Sequence, residues 1–140
     1  YSQPCTDAEW ESLQATAMNW LGDVSEIASP PFQLASPSGA VRTLARMAAA
    51  ARGELTEGRG EGLSFNQNEL RHQIRLLRQA DRLQLRNIPG IDPRRGDTLL
   101  AAAALIQALM LRFSSTDILA APGGLREGLL LEWADSLKER

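Results

Sequence analysis

The sequence predicts a helix-rich α/β fold with a small sheet, in which two or three short strands serve five or six helices. The 140 residues hold 22 Leu and 20 Ala against 2 Val and 6 Ile, a balance that favours helix over strand on intrinsic propensity. Apolar residues recur at helical spacing in several separate runs, most of them opened by a side-chain cap. Short segments bounded by Pro, Gly and Ser alternate with those runs, as strands do in layered α/β folds.

The first helix opens at the capping box Thr6-Asp7-Ala8-Glu9 and carries Trp10, Leu13, Ala17, Leu21 and Val24 as one stripe. Ser29-Pro30-Pro31 closes that region. Phe32-Gln33-Leu34-Ala35 reads as a strand feeding the turn Ser36-Pro37-Ser38-Gly39, and a second helix follows from about Ala40 to Ala51, stopped by Gly53. Residues 53–62 hold four glycines without apolar periodicity and read as a mobile loop inside one domain, since neither flank alone has enough core. Leu63-Ser64-Phe65 is a possible strand. Asn66 and Glu69 form a second capping box, opening a helix with Leu70, Ile74 and Leu77 inward. Ile88-Pro89-Gly90-Ile91 is a turn, and Asp92-Pro93 caps a helix running to about Phe113 that is apolar on nearly all sides, which makes it the central one. Asp117 to Ala121 is a strand, Pro122-Gly123-Gly124 a turn, and the last helix is expected to bury Leu125, Leu129, Trp133 and Leu137.

These strands are too few for the helices, because a sheet usually has about 4–6 strands. The chain also begins Tyr1-Ser2-Gln3-Pro4 without Met. The expectation is an incomplete single domain over residues 1–140, with the missing strands supplied by another part of the protein or by a second copy.

Composition excludes several classes. Cys5 alone permits no intrachain disulfide, and Cys5 with His72 cannot assemble a Cys/His zinc site. The net charge of −2 argues against a chain whose whole surface is built for nucleic acid or anionic membrane, although a local basic patch survives that average. Thr98 to Phe113, the longest apolar stretch, is interrupted by Gln107 and Arg112, so a soluble chain is expected.

Four sets of residues are candidates for chemistry. Arg71, Arg75, Arg78, Arg82 and Arg86 fall on one face if their helix is continuous, and a row of planar guanidinium forks suits phosphates. A solvated helix face explains the same row, and is the commoner outcome. Ser38-Gly39-Ala40 at a strand-to-helix turn presents amides to an anion, although small-residue turns are common without any ligand. Gly123-Gly124-Leu125-Arg126-Glu127-Gly128 combines sharp-turn glycines with an early-helix Gly that implies close packing or a hinge. Glu54, Glu57 and Glu61 are scattered acids that could gather round a cation or simply keep the loop soluble. His72 reads as a surface residue and Cys5 lacks a basic neighbour, so neither is a catalytic candidate.

Three motifs in order, Ser38-Gly39-Ala40-Val41-Arg42-Thr43-Leu44-Ala45-Arg46, Ile88-Pro89-Gly90-Ile91-Asp92-Pro93-Arg94-Arg95-Gly96-Asp97 and Gly123-Gly124-Leu125-Arg126-Glu127-Gly128, resemble the exopolyphosphatase / guanosine pentaphosphate phosphohydrolase (Ppx/GppA) family over about residues 32–137. The resemblance implies the later part of the second of two ribonuclease H-like, actin-type ATPase domains flanking a cleft. It implies a cytoplasmic hydrolase of terminal phosphoanhydride bonds in polyphosphate or guanosine pentaphosphate, using Mg²⁺. The family's metal-binding acids and general-base glutamate lie upstream of the matching region, so no catalytic or metal-binding residue is expected here. Ser38, Gly39, Ala40 and Arg42, with Arg71, Arg75 and Arg78, are the expected substrate contacts. Gly123, Gly124, Arg126 and Glu127 are the expected hinge. Ala40 replaces the Thr usual after Ser/Gly-Gly, and Ala121-Pro122 replaces Ser-Asp before the glycines. The expected partners are the upstream domain of the same protein or a second copy, with no specific nucleic acid. The alternative expectation is a polyanion-binding or helical self-association module without catalytic activity.

Overall fold

A computed structural model describes residues 1–22, 33–54 and 58–138. The predicted residues Val24, Phe32 and Glu57, with the Ser29-Pro30-Pro31 stop, lie outside them. Six α-helices and three strands follow in the order α1 (Asp7–Leu21), β1 (Leu34–Ser36), α2 (Gly39–Ala51), β2 (Ser64–Asn66), α3 (Gln67–Gln79), α4 (Arg82–Asn87), α5 (Gly96–Arg112), β3 (Asp117–Ala120) and α6 (Leu125–Lys138), with a 3-10 turn at Pro93–Arg95 leading into α5.

The strands form a mixed sheet in the order β1-β3-β2, β3 lying parallel to β1 and antiparallel to β2. Register pairs Ser36 with Ala120 and Phe65 with Ile118. Strand β3 buries Ile118 and Ala120 on alternate positions while Phe65 is the buried residue of β2. Around this sheet one hydrophobic core joins Val41, Leu44 and Met47 of α2, Leu70, Ile74 and Leu77 of α3, and Leu99, Leu100, Ala103, Ile106 and Met110 of α5. Helix α5 is the central one, as its composition demands, and its alanines let α1 and α3 approach closely.

The capping signals are realised as read. The Thr6 hydroxyl and the Asn66 amide oxygen each accept from the first turn, while Glu9 and Glu69 reach back to the cap amides. Asp92 accepts from Arg94 N–H, but the segment after Pro93 makes a 3-10 turn before α5 begins at Gly96.

At three points the structure decides between readings or overturns one. The helix after Asn66 does not persist to residue 87: Ala80 is extended, and Asp81 starts a new capping box by accepting from Leu83 and Gln84 N–H while Gln84 accepts from Asp81 N–H. An Asp that can satisfy two orphan amides competes with continuing the helix. The last helix does not bury its apolar residues: Leu125, Leu129, Trp133 and Leu137 are 80, 55, 62 and 51% exposed, and α6 has no buried residue. Gly128 is not closely packed, since a side chain there would meet nothing within 4 Å.

Candidate functional site

The turns that follow β1 and β3 lie side by side, because parallel strands end at the same edge of the sheet and ligand sites in α/β folds gather there. Ala121 N–H donates to Ser36 O at 3.1 Å, extending the pairing one residue beyond β3. In the first turn the Ser38 hydroxyl accepts from Val41 N–H at 3.2 Å and so caps α2. The amides of Gly39 and Ala40, in the first turn of α2, have no intrahelical acceptor by construction. In the second turn Gly123 takes φ +75°, and a Cβ on Gly124 would sit 3.8 Å from Pro37 and 3.3 Å from the Glu127 carboxylate. The two glycine motifs, 85 residues apart in sequence, thus form one surface.

The glycine loop joins the same edge. Gly62 N–H donates to Ala120 O, and Gly60 sits so close to α2 that a Cβ would lie 2.8 Å from Arg42 O. Arg42 pairs with Glu61 at 3.0 Å, holding that loop against the helix. Of the loop acids, Glu61 is held by Arg42, while Glu54 pairs with Arg52, which also holds Glu69; Glu57 lies outside the described residues. The Arg52 guanidinium holds the Glu54 carboxyl below its usual range.

One residue of this edge was not singled out in the sequence. The Arg95 guanidinium lies directly over Gly39, where an added Cβ would come within 2.1 Å of its Nη2 and 2.3 Å of its Cζ. Only glycine leaves room for it. A cation over the amino terminus of a helix is electrostatically misplaced, since that end carries partial positive charge, and Asp92 at 3.6 Å from Nε is its ion-pair partner. The signal was present in Asp92-Pro93-Arg94-Arg95, where the turn set by Asp and Pro leaves Arg95 over Gly39.

The arginine row is divided. Arg82 and Arg86 belong to α4, apart from the face of α3. Arg78 pairs with Asp7 and lies over the Trp10 ring, 5.5 Å from its centroid, so its charge is already used. Arg71 and Arg75 line an open groove between α1, α3 and α5. Helix α3 starts where Gln67 bonds Thr116 O and Ser115 O, at the beginning of β3 and therefore at the edge opposite the glycine turns. The fold does not bring Arg71 or Arg75 to Ser38. His72 and Arg126 are exposed, and Cys5 is buried, which pushes its thiol up away from reactivity.

A model of the Ppx/GppA phosphatase family matches residues 7–137. The chain belongs to the Ppx/GppA family. Among solved structures it is similar to a family member from Aquifex aeolicus, with a TM-score of 0.76 and 18% identity over 98% of this chain and 43% of that one. It is also similar to an exopolyphosphatase from Cytophaga hutchinsonii, with a TM-score of 0.78 and 21% identity over 95% of this chain and 44% of that one. A type II variant of the Aquifex aeolicus phosphatase gives 0.74, 17%, 92% and 42%. The chain spans less than half the length of these structures, so the likeness covers one part of a larger fold. No curated protein matches.

The family resemblance implies Mg²⁺. Among the described residues no group of three or more His, Cys, Asp or Glu side chains is placed to hold a metal ion, and the acids at the glycine edge do not fit one: Glu61 is engaged by Arg42 and Glu127 folds against Gly124. No described helix is long and apolar enough to cross a membrane.

Proposed function

We propose that this chain is part of a phosphoanhydride hydrolase acting on polyphosphate or guanosine pentaphosphate, in which it forms the wall and hinge of the cleft but not the catalytic centre. The observation that carries this reading is the meeting of three glycine-bearing turns with Arg42 and Arg95 at one end of the parallel strands. In the reading, the Gly39 and Ala40 amides and the α2 amino terminus receive a phosphoryl group, and Arg95 closes over it; an anion there relieves the repulsion between guanidinium and helix end. Ser38 holds the turn by accepting from Val41 N–H, which leaves its O–H free to donate to a phosphoryl oxygen. Arg42 stands behind them, fixing the glycine loop through Glu61. Ala40 offers no hydroxyl, so recognition at this corner rests on backbone and arginine.

Gly123 and Gly124 are the hinge, with Glu127 stopping the turn against Gly124 and Arg126 exposed beside it. Helix α6 beyond it is the docking element. Six large apolar side chains exposed on one short helix are far more than a self-contained domain leaves in water. Its partner in this reading is the part of the fold outside this chain, because the matched structures hold more than half their length there. The chain is then an incomplete second ribonuclease H-like domain, working in the cytoplasm, and Mg²⁺ with its ligands and the general base belong to the other part.

The chain alone is expected to release no phosphate from polyphosphate or guanosine pentaphosphate with Mg²⁺ present. Turnover by pure chain overturns the reading. A second copy as the partner of α6 is the alternative; light scattering that shows a stable dimer at low micromolar concentration, abolished by Leu129→Ser with Trp133→Ser, favours it over the cleft reading.

A further inference from the structure

We propose that the groove between α1, α3 and α5 is a second, non-catalytic anion site that grips an oligoanion of linked phosphates through Arg71 and Arg75. The groove encloses about 650 Å³ and is lined by Trp10, Gln14, Asn68, Arg71, Ile74, Arg75 and Gln107. None of these is acidic. Arg71 is oriented by two neutral acceptors, Gln67 O at 3.3 Å and Asn68 Oδ1 at 2.8 Å, so its side chain is positioned, and among the described residues no acid pairs with it. Arg75 is exposed and makes no hydrogen bond or ion pair among the described residues. One turn further on, Arg78 faces the same side and is neutralised by Asp7.

The remaining walls suit an anion. Gln14 Nε2 donates to Gln107 Oε1 at 3.1 Å, which fixes both amides and leaves the Gln107 amide N–H groups as further donors. Ile74 and the edge of Trp10 form the floor, and Trp10 is too buried to offer a stacking face. Arg71 and Arg75 stand about 5–6 Å apart at their Cβ atoms, as residues one turn apart do, so together they span more than one phosphoryl group. Guanidinium forks hold phosphate oxygens in pairs. A single orthophosphate engages one fork; a chain of phosphates engages both. The site lies at the edge of the sheet opposite the glycine turns, so it binds without occupying the cleft and stands or falls independently of it.

The test is a calorimetric titration of the protein with inorganic tripolyphosphate at several salt concentrations, beside orthophosphate. Tripolyphosphate is expected to bind more tightly than orthophosphate, with affinity that falls as salt rises. Arg71→Gln with Arg75→Gln is expected to weaken it at least about tenfold and to flatten the salt dependence. Arg75→Glu alone, at a side chain with no structural bond to lose, is expected to weaken it at least as much as Arg75→Gln does. Arg95→Gln is expected to leave the Arg71/Arg75-dependent part of this binding unchanged, whatever it removes at the glycine edge. Absence of binding, or affinity that survives the Arg71/Arg75 variants, overturns the inference. Loss of binding in Arg95→Gln with the Arg71/Arg75 variants unaffected also overturns it, while supporting an anion at the glycine edge.

Discussion

Substituting Gly39 by Ala separates the structural role of the first glycine turn from its part in the site. Gly39 is the first residue of α2 and its backbone lies outside the left-handed region, so the helix itself accepts Ala and gains up to about 1 kcal/mol. The added Cβ would lie 2.1, 2.3 and 2.8 Å from Nη2, Cζ and Nε of Arg95, all atoms at the far end of one flexible side chain and none of them backbone. Arg95 is 44% exposed at its side chain and swings into solvent. The movement costs its 3.6 Å pairing with Asp92, a partly exposed contact worth about 0–1 kcal/mol. The terms offset, and urea denaturation should place Gly39→Ala within about 1 kcal/mol of the parent. If the proposed reading holds, phosphate release by the enzyme of which this chain is a part should show KM raised about tenfold, as expected when one charged hydrogen-bond donor leaves a bound phosphate. Destabilisation beyond about 2 kcal/mol would mean that Arg95 cannot leave, contrary to its exposure. An unchanged KM would mean that the seat of Arg95 does not face substrate.

Three further outcomes are expected. Gly90→Ala should cost about 2–4 kcal/mol in chemical denaturation, because φ is +83° and the Cβ would lie 2.7 Å from the Arg46 and Met47 backbone, whereas Gly123→Ala, strained only in φ, should cost about 1 kcal/mol. Glu9, held down to about 2 from its usual 4.5 by hydrogen bonds from Ser2 and Thr6, stabilises the fold above pH 4.5 and loses that contribution as pH falls toward 2; Glu9→Gln should flatten this part of an acid-unfolding curve followed by circular dichroism. Replacing Leu129 and Trp133 by Ser should leave the urea midpoint of the isolated chain unchanged, since neither residue is buried in it, while weakening the association proposed above for α6.

Local chemistry made much of this protein legible in its sequence. Thr6 and Asn66 start their helices, and Asp92 the 3-10 turn before α5, with hydrogen bonds to residues two or three positions away, and the alternation of short strands with helices follows from where those helices begin. The same local logic was available at Asp81 and Gln84, and it is why the arginine row breaks. The inward face of α3 could also be read, except for Gln73, a polar residue buried by donating to Leu44 O at 3.0 Å.

What the sequence alone determined was the helix-rich class, the shortage of strands and the family, since caps, propensities and three ordered motifs are properties of neighbouring residues. Tertiary structure decided which motifs share a surface. Parallel pairing of β1 with β3 places Ser38 and Gly39 beside Gly123 and Gly124, and the turn after Asp92 lays Arg95 over Gly39. Antiparallel pairing of β2 starts α3 at the other edge and carries Arg71 and Arg75 away from them. The apolar stripe of α6 said only that the helix covers something; that its cover is not this core depends on contacts that the described residues do not make with it. Periodicity fixes a face, and packing alone fixes what that face meets.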